Sequence, residues 1–209
     1  MALQGGNQIR KYLAQCRVRN AAEDVDTHVP PTSEEVEELI VYLREHGINP
    51  AIVGSTALLK HLGDDIDIGK DFRPTADLDI FVNKPPPKQL PEGWHRDPEA
   101  VGLISWISPS GGYVDFLQGG HEYPGGRKNP SSVSIDTSIS EFPVADVASV
   151  FKLKLNSERQ KDLLDLVALA RRTGVPPSSA LGKLNAQQRE NLQMISQWVQ
   201  YKPSGNYGE

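Results

Sequence analysis

The hexapeptide Asp77-Leu78-Asp79-Ile80-Phe81-Val82 constrains this chain more than any other stretch. It reads as a strand and stops before Pro85-Pro86-Pro87, which cannot continue a sheet. Side chains two apart on a strand share a face. Asp77 and Asp79 therefore project together, while Leu78, Ile80 and Val82 project from the other face, where helices can cover them. Two adjacent carboxylates repel each other, and burying them without a cation is costly. A hard cation relieves that cost, and Mg²⁺ takes oxygen ligands shared between one or two carboxylates and substrate phosphates. Taken alone, the triplet also fits a solvated strand edge, so its neighbours have to decide.

Three neighbours bear on it. Pro50-Ala51-Ile52-Val53 reads as a short strand that runs into Gly54-Ser55 and a helix over 56–62. Helix N-terminal amides bind anions, and a glycine lets the backbone approach a phosphate closely. The same pair also fits a routine helix cap. Asp115 stands mid-strand in Tyr113-Val114-Asp115-Phe116-Leu117. It fits either a third metal carboxylate and general base or an edge-strand aspartate facing water. The helical stretch 151–162 carries Lys152, Lys154, Arg159 and Lys161, which either neutralise a triphosphate or form a solvated face.

The rest of the chain supplies helices. Thr32 and Glu35 have capping-box spacing, followed by Val36, Leu39, Ile40 and Leu43 on one apolar stripe and by Gly47. Residues 101–107 and 113–118 read as a hairpin around Ser108–Gly112. Residues 63–74 form an acidic loop with Asp64, Asp65, Asp67 and Asp71, and 119–130 a Gly- and Pro-rich loop. Helices are expected near 145–156, 160–172 and 186–200, the last with an Asn185–Gln188 cap and with Leu192, Ile195, Trp198 and Val199 inward. Residues 1–31 are mixed in character and end in Val29-Pro30-Pro31, a helix-breaking junction. The organisation expected is an N-terminal extension over 1–31, a core over 32–142 and a helical part over 143–209. The fold class expected is α+β (α/β), a small mixed sheet flanked by helices.

Composition narrows the function classes. The net charge of −5 argues against a protein coated in nucleic acid. Residues 1–117 hold 11 basic and 18 acidic side chains, and residues 118–209 hold 11 and 9. Acidic groups thus gather around the aspartates, and basic groups where a polyanion could lie. No apolar run approaches the roughly 18 residues of a membrane span, and the polar N-terminus has no secretory h-region, so a cytoplasmic protein is expected. The single Cys16 forms no internal disulfide and reads as a bystander thiol.

Strand, Gly-Ser, helix, Asp-x-Asp strand and third-Asp strand, in that order, resemble the DNA polymerase beta-like nucleotidyltransferase superfamily. Val53-Gly54-Ser55-Thr56-Ala57-Leu58 looks like its first motif, although many members have Gly-Gly there. Arg73-Pro74-Thr75-Ala76-Asp77-Leu78-Asp79 resembles the second, and Tyr113-Val114-Asp115-Phe116 the third-carboxylate strand. Lys154 and Arg159-Gln160-Lys161-Asp162-Leu163-Leu164-Asp165 are similar to downstream motifs of the AbiEii/MenT-like group, which includes toxins of toxin–antitoxin pairs. Lys152 and Lys154 compete for the motif lysine. The resemblance spans about residues 35–172 and leaves 1–31 and 175–209 unmatched.

The resemblance implies transfer of NMP from an NTP to an acceptor hydroxyl. Asp77, Asp79 and Asp115 would bind two Mg²⁺ ions, with Mn²⁺ as a substitute. Gly54, Ser55, Arg73 and a cation among Lys152, Lys154, Arg159 and Lys161 would hold the nucleotide. Asp162 and Asp165 would orient those cations. It also implies a tRNA or other RNA acceptor and a possible antitoxin partner. Other readings are transfer to a small molecule of aminoglycoside type, which the acidic loop 64–71 would suit, AMP modification of a protein, and a non-catalytic nucleotide- or partner-binding member of the fold.

Overall fold

The computed structural model describes residues 4–22, 28–63, 65–66, 72–100, 104–122, 128–137, 142–157 and 159–201, with the side chains of 4–7 excepted. Residues 101–103 of the expected hairpin, most of the acidic loop and Glu158 lie outside the described residues.

Apolar alternation produces the sheet. β1 (Pro50–Ile52) pairs antiparallel with β2 (Asp77–Val82), which pairs in parallel with β5 (Tyr113–Gln118). β4 (Ile104–Ile107) returns antiparallel on β5, as the hairpin reading expects, and β3 (His95–Arg96) edges it. On the other side β7 (Val144–Ala145) lies parallel to β1 and pairs with β6 (Ile135–Asp136). The seven-stranded mixed sheet has the order β3-β4-β5-β2-β1-β7-β6. Strands β3, β6 and β7 have two residues each, too few for a periodic signal in sequence.

Helices complete an α+β architecture. α1 spans Gln4–Ala22, α2 Ser33–Glu45, α3 Gly54–Leu62, α4 Val147–Leu155, α5 Gln160–Thr173, α6 Ser178–Leu181 and α7 Ala186–Gln200. Both halves of the expected capping boxes form, at Thr32 with Glu35 and at Asn185 with Gln188. α4 starts two residues later than expected because β7 occupies 144–145 and Asp146 caps the helix through the Ser149 amide. α3 is the hub, contacting β2, α1, α4 and α5, and α7 packs on α5.

Two expectations are corrected. Residues 1–31 contain a helix whose Ile9, Tyr12, Leu13 and Cys16, at i, i+3, i+4 and i+7, enter the core. That spacing is readable in sequence, but two glycines at the helix start and adjacent polar residues mask it. Ile195 of α7 is fully buried, with Leu192 and Val199 against the core, whereas Trp198 remains 37% exposed. Among the described residues no helix is long and apolar enough to cross a membrane.

Candidate active site

The sheet register assembles the three aspartates. Asp79 on β2 lies opposite Asp115 on β5, and Asp77 lies opposite Tyr113. Residues in register on neighbouring strands share a face, so Asp77, Asp79 and Asp115 belong to one row. Leu78, Ile80, Val82, Val114 and Phe116 are buried on the opposite face, and Phe116 meets the Trp106 ring 4.8 Å away. β5 sits between β4 and β2, so Asp115 is not an edge residue.

Each carboxylate is held from a different direction. Thr75 Oγ1 donates to Asp77 Oδ1 at 3.0 Å. Ser105 Oγ, in register across β4, donates to Asp115 Oδ1. Asp79 rests against Gly54, where a Cβ would lie 1.9 Å from Asp79 Oδ2. Gly54 adopts φ +63°, a conformation that glycine takes without strain.

Val53, not Ser55, caps α3, and it offers no side-chain acceptor to the first helical amides. The hydroxyl of buried Ser55 instead accepts from Arg73 Nη2 at 3.1 Å. The alternative reading of Gly54-Ser55 as a routine cap is thereby corrected.

A cation network lies beside this row. Arg73 Nη2 also reaches Asp165 Oδ2 at 3.1 Å. Lys154 Nζ is buried between Asp162 Oδ1 at 2.8 Å and Asp165 Oδ2 at 2.6 Å. Arg159 Nε donates to Asp162 Oδ2 at 2.6 Å while most of its side chain stays exposed. The two lysines differ in their contacts. Lys154 joins the network, and the half-buried Lys152 does not. Lys161 is exposed and also takes no part in these contacts.

The electrostatics follow from this placement. Burial, with repulsion from Asp77 and Asp115, pushes Asp79 up to about 7, and Lys154 and Arg159 offset part of that rise. Burial likewise raises Asp115, with Asp77 and Asp97 adding to the rise and the Ser105 hydrogen bond opposing it. Asp162 behaves oppositely. Burial alone would raise it, but Lys154 and its hydrogen bonds to Lys154, Ser157 and Arg159 bring it down to about 2.

Among the described residues no three His, Cys, Asp or Glu side chains gather closely enough to enclose a metal ion. Asp77 accepts from Thr75 and Asp115 from Ser105, while Asp79 packs against the Gly54 backbone. The donor set is oxygen alone on a shared face, and Asp79 and Asp115 are both raised toward neutrality by their surroundings. Such a set suits a hard divalent cation such as Mg²⁺.

A cavity of ≈ 190 Å³ opens beside the row, lined by His28, Asp77, Asp97, Ala100, Ser105, Tyr113 and Asp115. His28 stacks on Tyr113 with ring centroids 3.6 Å apart and planes within 4°. Gly54, Ser55 and Asp79 are not in this lining, so the helix start and the cavity lie at different parts of the acidic row. His28 and Asp97 escaped sequence reasoning, since no local pattern joins either to Asp115.

No family model matches the chain, and no curated protein matches it. Among solved structures, the chain is similar to a crystal structure of an antigenic nucleotidyltransferase-like protein from Paracoccidioides brasiliensis. The TM-score is 0.46 at 13% identity, over 81% of this chain and 90% of that one.

Proposed function

We propose that this chain is a cytoplasmic, Mg²⁺-dependent nucleotidyltransferase that moves NMP from an NTP to an acceptor hydroxyl. The observation that carries the reading is Asp79 opposite Asp115 across β2 and β5, with Asp77 in the same row and the backbone of Gly54 pressed against Asp79. On this reading residues 32–142 form the catalytic core and 143–209 a helical part that lends it cations.

Asp77, Asp79 and Asp115 would hold the divalent ions, two on this reading, with Mn²⁺ able to substitute for Mg²⁺. Bound there, such ions offset developing phosphoryl charge and acidify an attacking hydroxyl. The amides at the start of α3 and the Ser55 hydroxyl would receive the triphosphate. Lys154 and Arg159, held by Asp162, would offset charge on the leaving pyrophosphate, with Arg73 alongside. The acceptor would enter from the cavity. Its oxygen bonds to the α-phosphorus as the bond to pyrophosphate breaks, and its proton passes to the carboxylate of Asp115 at Oδ2, the oxygen that Ser105 leaves free.

The toxin-like resemblance implies an RNA 3′ end as acceptor and an antitoxin as partner. One observation favours the second reading, a small hydroxylated acceptor. Among the described residues, the cavity wall carries Asp97 besides the two row aspartates and neither Lys nor Arg, a poor lining for a polyanion.

The deciding experiment incubates the protein with Mg²⁺ and each α-labelled NTP, offering total tRNA in one arm and aminoglycosides in the other. Label transferred by the wild type and lost in Asp79→Asn supports the function, and the labelled arm names the acceptor class. Equal transfer by Asp79→Asn would sink it.

A further inference from the structure

We infer that α1 is a positioning element of the acidic site, and that one buried amide, Asn20, sets both Asp77 and the His28 wall. The inference rests on the reading that Asp77 binds a divalent cation.

Tyr12, Cys16 and Asn20 lie four residues apart along α1, so they form one stripe. All three are buried and meet the same short segment, residues 73–75, which leads into β2. Tyr12 Oη donates to the Arg73 carbonyl at 3.3 Å. The Thr75 amide donates to Cys16 Sγ at 3.3 Å. Asn20 Nδ2 donates to the Thr75 carbonyl at 3.0 Å. This segment lies outside the strands, so the sheet ladder does not satisfy its backbone groups, and helix side chains do so in its place. Cys16 has a structural part here. Its thiol, raised by burial and so kept neutral, accepts a main-chain hydrogen bond.

The segment held in this way carries the two side chains that reach the site. Thr75 Oγ1 donates to Asp77 Oδ1, and Arg73 bridges Ser55 and Asp165. The same Asn20 amide also donates to the His28 carbonyl at 2.9 Å. His28 in turn stacks on Tyr113, the register partner of Asp77. One side chain thus braces the segment leading into Asp77 and the His28 wall of the cavity. Thr75 orients Asp77 directly, the kind of group whose loss commonly costs about 10–100-fold in metal affinity, and Asn20 acts through Thr75.

The test is Mn²⁺ binding to the full chain without nucleotide, followed by electron paramagnetic resonance, together with thermal unfolding. Asn20→Leu keeps the side-chain bulk and removes both hydrogen bonds, and is expected to weaken Mn²⁺ binding by about tenfold while unfolding remains cooperative. Leu13→Ala, on the same helix but in the apolar core, is expected to lower the melting temperature and leave Mn²⁺ affinity at the wild-type value. A folded Asn20→Leu that binds Mn²⁺ as tightly as wild type overturns the inference. So does equal weakening by Leu13→Ala, which would make the effect one of general stability.

Should Asn20→Leu not fold, Tyr12→Phe deletes a single hydroxyl. A loss of affinity in it sustains the inference, and unchanged affinity overturns it. A wild type that binds no Mn²⁺ removes the metal-site reading itself and takes the inference with it, an outcome distinct from failure of the variants alone.

Discussion

Gly54 lies so close to Asp79 that a Cβ on it would come within 1.9 Å of the carboxylate oxygen and 2.7 Å of Cγ. The backbone at the start of α3 and the central carboxylate therefore share one space that admits no side chain. Gly54→Ala adds a left-handed φ of +63° to that collision. The conformational part alone costs roughly 1–2 kcal/mol. Gly54→Ala is expected to lower the melting temperature and to abolish nucleotidyl transfer, read from a thermal melt and the labelled-NTP assay.

Burial and the charges of Asp77 and Asp115 disfavour an ionised Asp79, so on the proposed reading the metal site costs stability when no ion is bound. Asp79→Asn keeps shape and removes a charge that burial and two neighbours disfavour. Without divalent ions the variant is expected to melt higher than wild type at neutral pH, and with saturating Mg²⁺ the wild type is expected to gain where the variant does not. Paired melts with and without Mg²⁺ measure both. A wild type indifferent to Mg²⁺ would contradict the assignment.

Lys154 is buried between two aspartates, and its removal leaves them without their main partner. Lys154→Met is expected to cost about 3–5 kcal/mol, the usual consequence of breaking a buried ion pair from one side. Lys152→Met, on the half-buried neighbour outside the network, is expected to cost much less. Denaturant unfolding of the two variants compares them directly.

Asp162 gives the fold an acid limit. Its folded value of about 2 lies below the ordinary carboxylate value of about 3.9. The folded state therefore binds fewer protons than the unfolded chain between these values, and stability rises with pH across that window. The contribution is fully present above about pH 5 and is lost as pH falls toward 2. Unfolding free energies measured from pH 6 down to pH 2 should fall for the wild type. The same slope should be shallower in Asp162→Asn.

His28 lines the cavity, stacked on Tyr113, and on the proposed reading that wall would face the acceptor. His28→Ala is expected to raise the KM for the acceptor several-fold and leave the KM for NTP unchanged. Steady-state kinetics with each substrate varied in turn would show the split. A rise confined to NTP would move the acceptor elsewhere.

Much of the site could be read along the chain because its signals are local. Alternation over 77–82 puts both aspartates on one face whatever the strand later pairs with, and the structure keeps Leu78, Ile80 and Val82 buried opposite them. The capping boxes at Thr32 and Asn185 need only four residues, and both form. The choice between Lys152 and Lys154 was not local. Residues two apart on a helix point in nearly opposite directions, and only the packing of α4 on α5 decides which one meets Asp162 and Asp165. Helical period points Trp198 inward, yet it stays partly exposed because neighbours cover only part of that stripe.

By itself, then, the sequence determined the faces: which side chains share a side of β2, where α2 and α7 begin, and which residue types could hold a cation. Periodicity and capping act over a few residues and need no partner. The tertiary structure decided the pairings. It put Asp115 opposite Asp79, seated Asn20 of α1 under Thr75 and His28, and brought Asp97 to the cavity. Those contacts join groups distant in the chain, and their partners are often backbone carbonyls that every residue carries. No local pattern can mark them, so they exist only once the sheet has closed.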